Sequence, residues 1–360
     1  MTLEQEIEQF LKERGALKVG IATRDTMTGG PPSADITYVL PEAESAICFA
    51  LPLDKEKIRA YLRKDLPNGR VDHEKDNLEV NQKANSIAKE CANWLINKGH
   101  KAVRVIANLK YREENPNWRI MMHPEISLRY VAVRSGVASF GWSGNVGMKG
   151  YGTAIILGLV VTSAKLKPTE PIPPEEEFCT KCKLCAEVCV FRMFSKDEES
   201  SVTLGGKTFT YGKRIDLRRC MIGCGGFTGL DKTGKWSTWS PGRYDYAEDE
   251  VELNRALILA MGSEKKRPKI ADGGEGFIDA KVDKSFAVQF TCGNCQYICG
   301  GDPKETAERY RLLTNSGCVI QREDGKIEVF SPEQAKEEFS KMPSKQQRLY
   351  YKDYKKRIKR

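Results

Sequence analysis

Apolar residues in the first half of the chain recur with two periods, one typical of helices and one typical of buried strands. Thr2 and Gln5 have the spacing of a capping box, and the apolar stripe that follows ends at Gly15, which predicts an opening helix. A helical period also predicts helices over residues 78–98 and 126–134. Short runs of branched apolar residues predict strands over residues 18–22, 46–51, 103–107 and 154–162. We therefore predict an alternating α/β domain over residues 1–167.

The pattern changes after the last of these strands. Residues 166–177 are rich in proline and glutamate, which interrupt a strand ladder and favour extended structure, so a domain boundary is expected there. Residues 205–276 contain many glycines and no strong period, as expected where metal ligands fix the backbone. Helical patterns return from Pro303. The chain is therefore predicted to have a second domain over residues 168–310 and a basic helical tail over residues 311–360.

Seven of the twelve cysteines fall in two dense runs. The first run has the C-x2-C-x2-C-x3-C spacing of bacterial ferredoxins, in which three thiolates hold one 4Fe-4S cluster and the fourth holds another. Its members are Cys179, Cys182, Cys185 and Cys189. The second run has the spacing C-x2-C-x3-C, and its members are Cys292, Cys295 and Cys299. The sequence thus predicts that the second domain is ferredoxin-like and carries two 4Fe-4S clusters, with a glycine-rich insertion between the runs.

The crossed ferredoxin pattern divides these cysteines into two ligand sets. The first set is Cys179, Cys182, Cys185 and Cys299. The second set is Cys189, Cys292 and Cys295, and it lacks one thiolate. Cys220 and Cys224 lie between the runs, and either can supply the missing ligand.

Zinc is the alternative to clusters, because C-x2-C pairs also bind zinc. A tetrahedral zinc site does not require eight thiolates in an interlocked spacing, so clusters are preferred. Three cysteines remain, and they lie in apolar surroundings that predict buried small hydrophobic residues. They are Cys48, Cys91 and Cys318.

A glycine-rich stretch, residues 136–152, lies between the last predicted helix and the last predicted strand of the first domain. The sequence has neither a G-x-G-x-x-G motif after a strand nor a Walker loop, so the usual nucleotide fingerprints are absent. Many glycines allow the backbone to approach a large flat ligand closely, and backbone amides can then act as donors. A flexible loop is the alternative that the residues alone leave open.

The order of these motifs resembles the epoxyqueuosine reductase and reductive dehalogenase superfamily over most of residues 15–300. The resemblance rests on Leu-Pro-Glu-Ala-Glu-Ser-Ala at residues 40–46, the glycine-rich stretch, both cysteine runs and Ile-Asp-Leu-Arg-Arg-Cys at residues 215–220. It implies that Cys220 completes the second cluster. It also implies a nitroreductase-like α+β domain that binds a corrinoid (cobalamin), to which the nearer cluster passes electrons. The residues expected to lie against the corrinoid are Gly136, Phe140, Gly141, Trp142, Ser143, Gly144, Asn145 and Val146.

The sequence departs from epoxyqueuosine reductases at the expected proton donor. Those enzymes place an aspartate shortly before the helix that leads to the glycine-rich stretch, whereas this chain has Met-Met-His-Pro-Glu at residues 121–125. His123 or Glu125 is therefore predicted to supply the proton, since either can carry one near neutral pH in a suitable environment. Tyr130 is a weaker candidate, because such an aromatic residue more often serves packing. For His123 the alternative is a turn residue with a satisfied ring.

Charge and hydropathy set the expected surroundings of the protein. The formal net charge is +9, and much of it lies beyond residue 344, where a solvated helix is expected and a surface for nucleic acid or an acidic partner is the alternative. No export signal is visible, and no apolar run reaches the roughly 20 residues that cross a bilayer. We therefore predict a cytoplasmic protein without a membrane span. Its expected partners are a low-potential electron donor such as ferredoxin or flavodoxin, and a small-molecule substrate or tRNA nucleoside.

The resemblance and the cysteine pattern together predict a corrinoid-dependent reductase in which electrons pass through two 4Fe-4S clusters to cobalt. Two other functions agree with the same residues. One is an electron-transfer iron-sulfur protein that reduces a partner and has no substrate of its own. The other is a tRNA epoxyqueuosine reductase in the strict sense.

Overall fold

The computed structural model describes residues 1–107, 109–116, 118, 123–245, 248–264, 266–271, 280–283, 286–288 and 292–351. Met121 and Met122 of the predicted proton-donor segment lie outside the described residues, as does the part of the predicted basic tail from residue 352 onward. Within the described ranges, no helix is both long enough and apolar enough to cross a membrane.

Helices and strands are mixed along the whole chain. The described helices are α1 (Leu3–Lys12), α2 (Arg24–Met27), α3 (Lys55–Arg63), α4 (Gly69–Asn97), α5 (Leu128–Arg134), α6 (Leu184–Glu187), α7 (Leu217–Cys224), α8 (Glu250–Glu264), α9 (Asn294–Tyr297), α10 (Pro303–Thr314), α11 (Pro332–Lys341) and α12 (Ser344–Tyr350). The described strands are β1 (Lys18–Thr23), β2 (Ser45–Pro52), β3 (Ala102–Val105), β4 (Ser139–Phe140), β5 (Val146–Gly147), β6 (Ile155–Thr162), β7 (Phe194–Leu204), β8 (Lys207–Arg214), β9 (Ala280–Asp283), β10 (Phe286–Val288), β11 (Cys318–Gln321) and β12 (Ile327–Phe330).

Four strands of the first half form one sheet in the order β1-β2-β6-β3, and every neighbouring pair is antiparallel. The central strand β2 pairs with β1 and β6 along its length, so that Cys48 lies opposite Gly20 on one side and Leu159 on the other. The predicted mixture of helix and sheet is confirmed. Strict alternation of helices and strands would favour parallel pairing, whereas this sheet has the pairing of an α+β domain.

The two faces of the sheet bury different residues of β2, because successive side chains of a strand point to opposite sides. Ile47, Phe49 and Leu51 pack with apolar residues of α1 and α4. Ala46, Cys48 and Ala50 pack with the opposite layer, which includes α5. Both faces are covered, so the strand reads as a continuous apolar run in the sequence.

A separate core lies under the cysteine-rich half of the chain. It joins α3, α7, α8 and α10 with the hairpin β11–β12 and with the buried indoles of Trp236 and Trp239. Tyr61 of α3 is fully buried in this core, and its backbone carbonyl accepts a hydrogen bond of 3.0 Å from Trp239 Nε1. This core places α3, an element of the first half, directly beneath the cysteine-rich half.

The structure extends several sequence predictions. The long helix α4 begins at Gly69, before the predicted start at residue 78, and the burial of Cys48, Cys91 and Cys318 is confirmed. Strand β8 and helix α8 lie within residues 205–276, where the sequence indicated glycine-rich loops, and β7 directly precedes this region. The boundaries at residues 167 and 310 and the nitroreductase-like detail stay predictions.

We predict that Gly158→Ala destabilises the protein by about 1–3 kcal/mol, the usual range for overpacking. Gly158 of β6 lies opposite Phe49 in the sheet, and a Cβ atom at this position would overlap the buried Phe49 ring. The matched control is Gly262→Ala in α8, where a Cβ meets no atom and alanine is the better helix former. Urea unfolding of both variants checks this prediction, and equal midpoints for the two would contradict it.

Candidate metal centre

The first cysteine run is shaped by two lysines in the left-handed conformation. Lys181 and Lys183 have φ angles of 55° and 61°, and Lys183 directly precedes α6. Side chains other than glycine rarely adopt this conformation, so the surrounding structure must hold it in place. Burial raises the pKa of the Cys179 thiol, and the nearby backbone N–H groups of Lys181 and Trp142 oppose this rise. Alternation of right- and left-handed residues creates a concave row of N–H groups, which suits a negatively charged group.

Four cysteines from the two runs line one cavity of about 430 Å³, its open side included. They are Cys179, Cys182, Cys185 and Cys299. The structure therefore brings together the four residues that the crossed pattern assigned to the first cluster. Cys182 is exposed and the other three are partly buried, so the cavity reaches the surface at Cys182.

The remaining predicted ligands form a second group. Cys189 and Cys295 lie within electrostatic reach of Cys220 and Cys292. Cys224 belongs to the same group, because its Sγ lies 3.4 Å from Cys220 Sγ and it also shares a hydrogen bond with Cys292. Five thiols thus converge where the sequence required four.

The chemistry of both groups suits metal-bound thiolates. Burial raises the pKa of Cys185 and of Cys189 to about 12, so each thiol keeps its proton until a metal replaces it. The hydrogen bond from Cys224 lowers the pKa of Cys292 to about 7, against the effect of burial. In the described part of the chain, no three His, Cys, Asp or Glu side chains converge on a point that could hold a single metal ion. The thiols of the first group instead surround a volume, as the ligands of a cluster do.

Residues of α3 and α10 contact the backbone of the second cysteine run. Gly293 has a φ angle of 93° and starts α9, and a Cβ atom here would meet the ring of Tyr297. The Tyr61 hydroxyl donates a hydrogen bond of 2.6 Å to the Cys292 carbonyl. The fully buried Arg309 donates to the carbonyls of Tyr297 and Cys299, at 3.1 Å and 3.4 Å. These contacts fix the backbone of the segment that carries the three thiols of the second run.

Arg309 is itself compensated by a carboxylate. Glu305 lies 2.6 Å from Arg309 Nε and also pairs with Arg59 of α3. Because a buried guanidinium without a partner is costly, this shared carboxylate helps to keep Arg309 at the end of the second cysteine run.

The glycine-rich stretch lies against both cysteine groups. The Trp142 N–H donates to Cys179 Sγ at 3.3 Å, and Asn145 Nδ2 lies 3.7 Å from Cys295 Sγ. Gly152 approaches the Cys299 carbonyl so closely that a Cβ atom would overlap it. The backbone of the glycine-rich stretch therefore approaches the cysteine runs closely.

Seven of the eight residues predicted to contact the corrinoid are buried. They are Gly136, Phe140, Gly141, Trp142, Ser143, Gly144 and Val146. The eighth, Asn145, is partly exposed, and its amide faces Cys295. The described contacts of this stretch thus involve protein, and they do not provide a face for a flat macrocycle.

The three predicted proton donors lie in different surroundings. Glu125 lines an open cavity of about 810 Å³ with Tyr38, Tyr111 and Trp118, and its carboxylate lies 3.9 Å from Lys110 Nζ. His123 is not among the residues that line this cavity, and its backbone carbonyl accepts a hydrogen bond from Arg112.

Tyr130 packs edge-on against Phe140, and burial raises the pKa of its hydroxyl. This position agrees with a packing role.

Sequence reasoning missed several residues of the site. Thr153, Phe178 and Thr306 line the first cavity, and Thr306 Oγ1 accepts a hydrogen bond of 3.1 Å from the Gly300 N–H. Arg214 of β8 donates to the Ser143 carbonyl at 3.2 Å and thereby anchors the glycine-rich stretch. No motif identifies these residues, because their roles depend on contacts between distant segments.

Fold and site together describe a mixed helix-and-sheet protein with two groups of cysteines drawn from separate runs. No protein-family model matches the sequence. A curated epoxyqueuosine reductase from Atelocyanobacterium thalassa (isolate ALOHA) is 26% identical over 180 residues, which make up 49% of this chain and 51% of that protein. The chain therefore matches about half the length of this relative. The similarity to epoxyqueuosine reductase that the motifs predicted is confirmed.

Solved structures that are similar to this chain include epoxyqueuosine reductases and a reductive dehalogenase. An epoxyqueuosine reductase with an epoxyqueuosine-modified tRNA-Tyr stem loop has a TM-score of 0.40 and 16% identity, covering 70% of this chain and 65% of that chain. The catabolic reductive dehalogenase NpRdhA in complex with 3-bromo-4-hydroxybenzoic acid has a TM-score of 0.48 and 13% identity, covering 96% of this chain and 37% of that chain. The epoxyqueuosine reductase of Bacillus subtilis has a TM-score of 0.38 and 14% identity, covering 86% and 80%.

We predict that Gly152→Ala lowers the iron bound per chain after anaerobic reconstitution, because the new Cβ displaces the backbone at Cys299. Gly150→Ala is the matched control: both glycines have positive φ angles, of 58° and 78°, but a Cβ at residue 150 meets no atom. Iron analysis of the two variants separates steric displacement from backbone strain. Equal iron loss in both would contradict the contact with Cys299.

Proposed function

We propose that this chain is an iron-sulfur oxidoreductase that passes electrons through two 4Fe-4S clusters to a reductive reaction of the epoxyqueuosine reductase or reductive dehalogenase kind. The observation that carries the proposal is the interlocked arrangement of the thiols. Cys185 and Cys189 are close in sequence but belong to different groups, and Cys295 and Cys299 repeat this division in the opposite order. Such crossing is the ligand pattern of two-cluster ferredoxins.

The chain's own residues serve the clusters in two ways. Backbone N–H groups of Trp142 and Met193 point at Cys179 and Cys189, at 3.3 Å and 3.2 Å. Hydrogen bonds of this kind favour the negatively charged form of the thiolate and raise the reduction potential of a cluster. Buried side chains such as Trp142 and Phe194 pack beside the cysteines and keep water away. These residues would hold the clusters beside N–H donors and, except at the exposed Cys182, away from bulk water.

The four thiols of the first group would hold a cluster near the surface, and this cluster would supply the entry point for electrons. Cys182 is the exposed member of the first group, so a low-potential donor such as ferredoxin or flavodoxin can approach it most closely. The second group lies close to the first along the chain, since Cys185 is within α6 and Cys189 follows two residues after its end. The thiols of the second group would then hold the cluster that supplies electrons to an acceptor.

The corrinoid that the resemblance implies does not fit the stretch predicted to bind it. The described residues of this stretch are buried against the cysteine runs, so we derive no step through cobalt. Corrinoid dependence is a separate proposal that rests on the resemblance, and cobalt analysis of the purified protein tests it. The same observation favours the second candidate function, an electron carrier that reduces a partner protein.

The cavity beside Glu125 is the proposed substrate site if the chain is an enzyme. Its aromatic residues suit a planar ring, and Glu125 is a carboxyl group placed to give or take a proton. A tRNA nucleoside is the substrate proposed from the similarity to epoxyqueuosine reductase, and the reaction is expected to take place in the cytoplasm.

Cys182→Ala is expected to reduce the iron content from about eight to about four irons per chain, because it removes a ligand of one of two clusters. Cys91→Ala is the control, since Cys91 is fully buried in the core of the first half, away from both runs. Iron and sulfide analysis after anaerobic reconstitution gives the result. Unchanged iron in Cys182→Ala would remove this residue from the ligand set.

A complementation experiment tests the tRNA nucleoside as substrate. The gene is expressed in a bacterial strain that lacks epoxyqueuosine reductase, and queuosine in tRNA is measured by mass spectrometry. We expect queuosine to return with the wild-type chain and to be lost with Glu125→Gln, while His123→Ala, which changes a residue outside this cavity, retains it. Absence of queuosine with the wild-type chain, at normal iron content, would exclude this substrate.

A further inference from the structure

The second cysteine group contains one thiol more than a cluster needs. A 4Fe-4S cluster is held by four cysteines, and Cys189, Cys292 and Cys295 supply three. Cys220 and Cys224 both come from α7, where a separation of four residues places side chains on the same face of a helix. Their sulfur atoms lie 3.4 Å apart. Both thiols therefore point into the same part of the group.

A 4Fe-4S cluster binds one thiolate at each of its four irons, so only one of the two α7 thiols can complete this set at a time. Cys224 is nevertheless directed into the group, since it contacts Cys292 as well as Cys220. The two α7 thiols thus compete for a single iron.

We propose that Cys220 and Cys224 are interchangeable ligands of one corner of the second cluster. The inference rests on the proposed two-cluster function. In the exchange, the bond from iron to Cys220 sulfur breaks and a bond from iron to Cys224 sulfur forms. The Cys224 thiol proton passes to the released Cys220 thiolate, with which it shares a hydrogen bond. No electron is gained or lost, and the charge of the site is unchanged.

The helix that carries both thiols is fixed, so the exchange requires only side-chain rotation. Asp216 accepts a hydrogen bond of 2.8 Å from the Arg218 N–H at the start of α7. Arg218 in turn forms ion pairs with Asp216 at 2.7 Å and with Glu250 of α8 at 3.0 Å. Ile222, between the two cysteines, is fully buried in the core. These contacts anchor α7 to α8 and to the core beneath the cysteine-rich half.

The experiment compares Cys220→Ala, Cys224→Ala and the double variant after anaerobic reconstitution, with iron and sulfide counted per chain. We expect each single variant to keep about eight irons and the double variant to keep about four, which belong to the first cluster. A thiol reagent in the reconstitution mixture could bind an iron that lacks a cysteine ligand. The double variant shows whether this happens. Low-temperature EPR of the reduced proteins gives an independent readout, because the interaction between two reduced clusters disappears when one is lost.

The inference is overturned if Cys220→Ala alone falls to about four irons, because Cys224 then acts at most as a hydrogen-bond donor to a ligand. It is also overturned if the double variant keeps the wild-type iron, because neither thiol of α7 then binds the cluster. If the double variant does not fold, the single variants still decide. A wild-type chain with about four irons would instead remove the proposed two-cluster function, so the two failures are distinguishable.

Discussion

The crossing of the two cysteine runs is the constraint on which the rest of the structure depends. Each run contributes thiols to both cysteine groups, so the chain between the runs must bring the second run back beside the first. The left-handed residues Lys181 and Lys183 make this possible in the first run, and Gly293 does so in the second. Arg309 then holds the carbonyls at the end of the second run. Loss of this crossing would separate the thiols even if every helix and strand still formed.

The first half of the chain serves this arrangement through the glycine-rich stretch. Its backbone lies against the cysteines, where its N–H groups can stabilise thiolate charge in a dry environment. An anchor at each side keeps the stretch in place: Arg214 donates to the Ser143 carbonyl, and Gly152 packs on the Cys299 carbonyl. The sheet, the glycine-rich stretch and the cysteine groups therefore form one continuous set of contacts.

Much of the first half could be predicted from the sequence, because both faces of the sheet are covered and its strands are apolar throughout. The ranges predicted for β1, β2, β3 and β6 match the observed strands closely. The antiparallel order could not be predicted, since burial on both faces hides the direction of pairing. The hydrogen bond from Tyr61 to the Cys292 carbonyl could not be predicted either, because the two residues are 231 positions apart in sequence.

The hairpin β7–β8 was missed because β7 carries a polar run, Ser-Lys-Asp-Glu-Glu-Ser-Ser at residues 195–201, without apolar alternation. The turn of this hairpin could have been predicted, because a Gly-Gly pair is typical of two-residue hairpins. In the structure, Gly205 and Gly206 have φ angles of 53° and 78°. For the site, spacing alone assigned seven thiols to two groups, and the resemblance implied Cys220 as the eighth. The structure places both Cys220 and Cys224 in the second group.

Mössbauer spectroscopy of the anaerobically prepared, iron-57-labelled protein tests the central claim most directly. The account predicts that about eight irons per chain give the quadrupole doublets of 4Fe-4S clusters, with no mononuclear iron and no zinc in a parallel metal analysis. Stoichiometric zinc, or a single cluster of about four irons per chain, would contradict the crossed arrangement of the thiols.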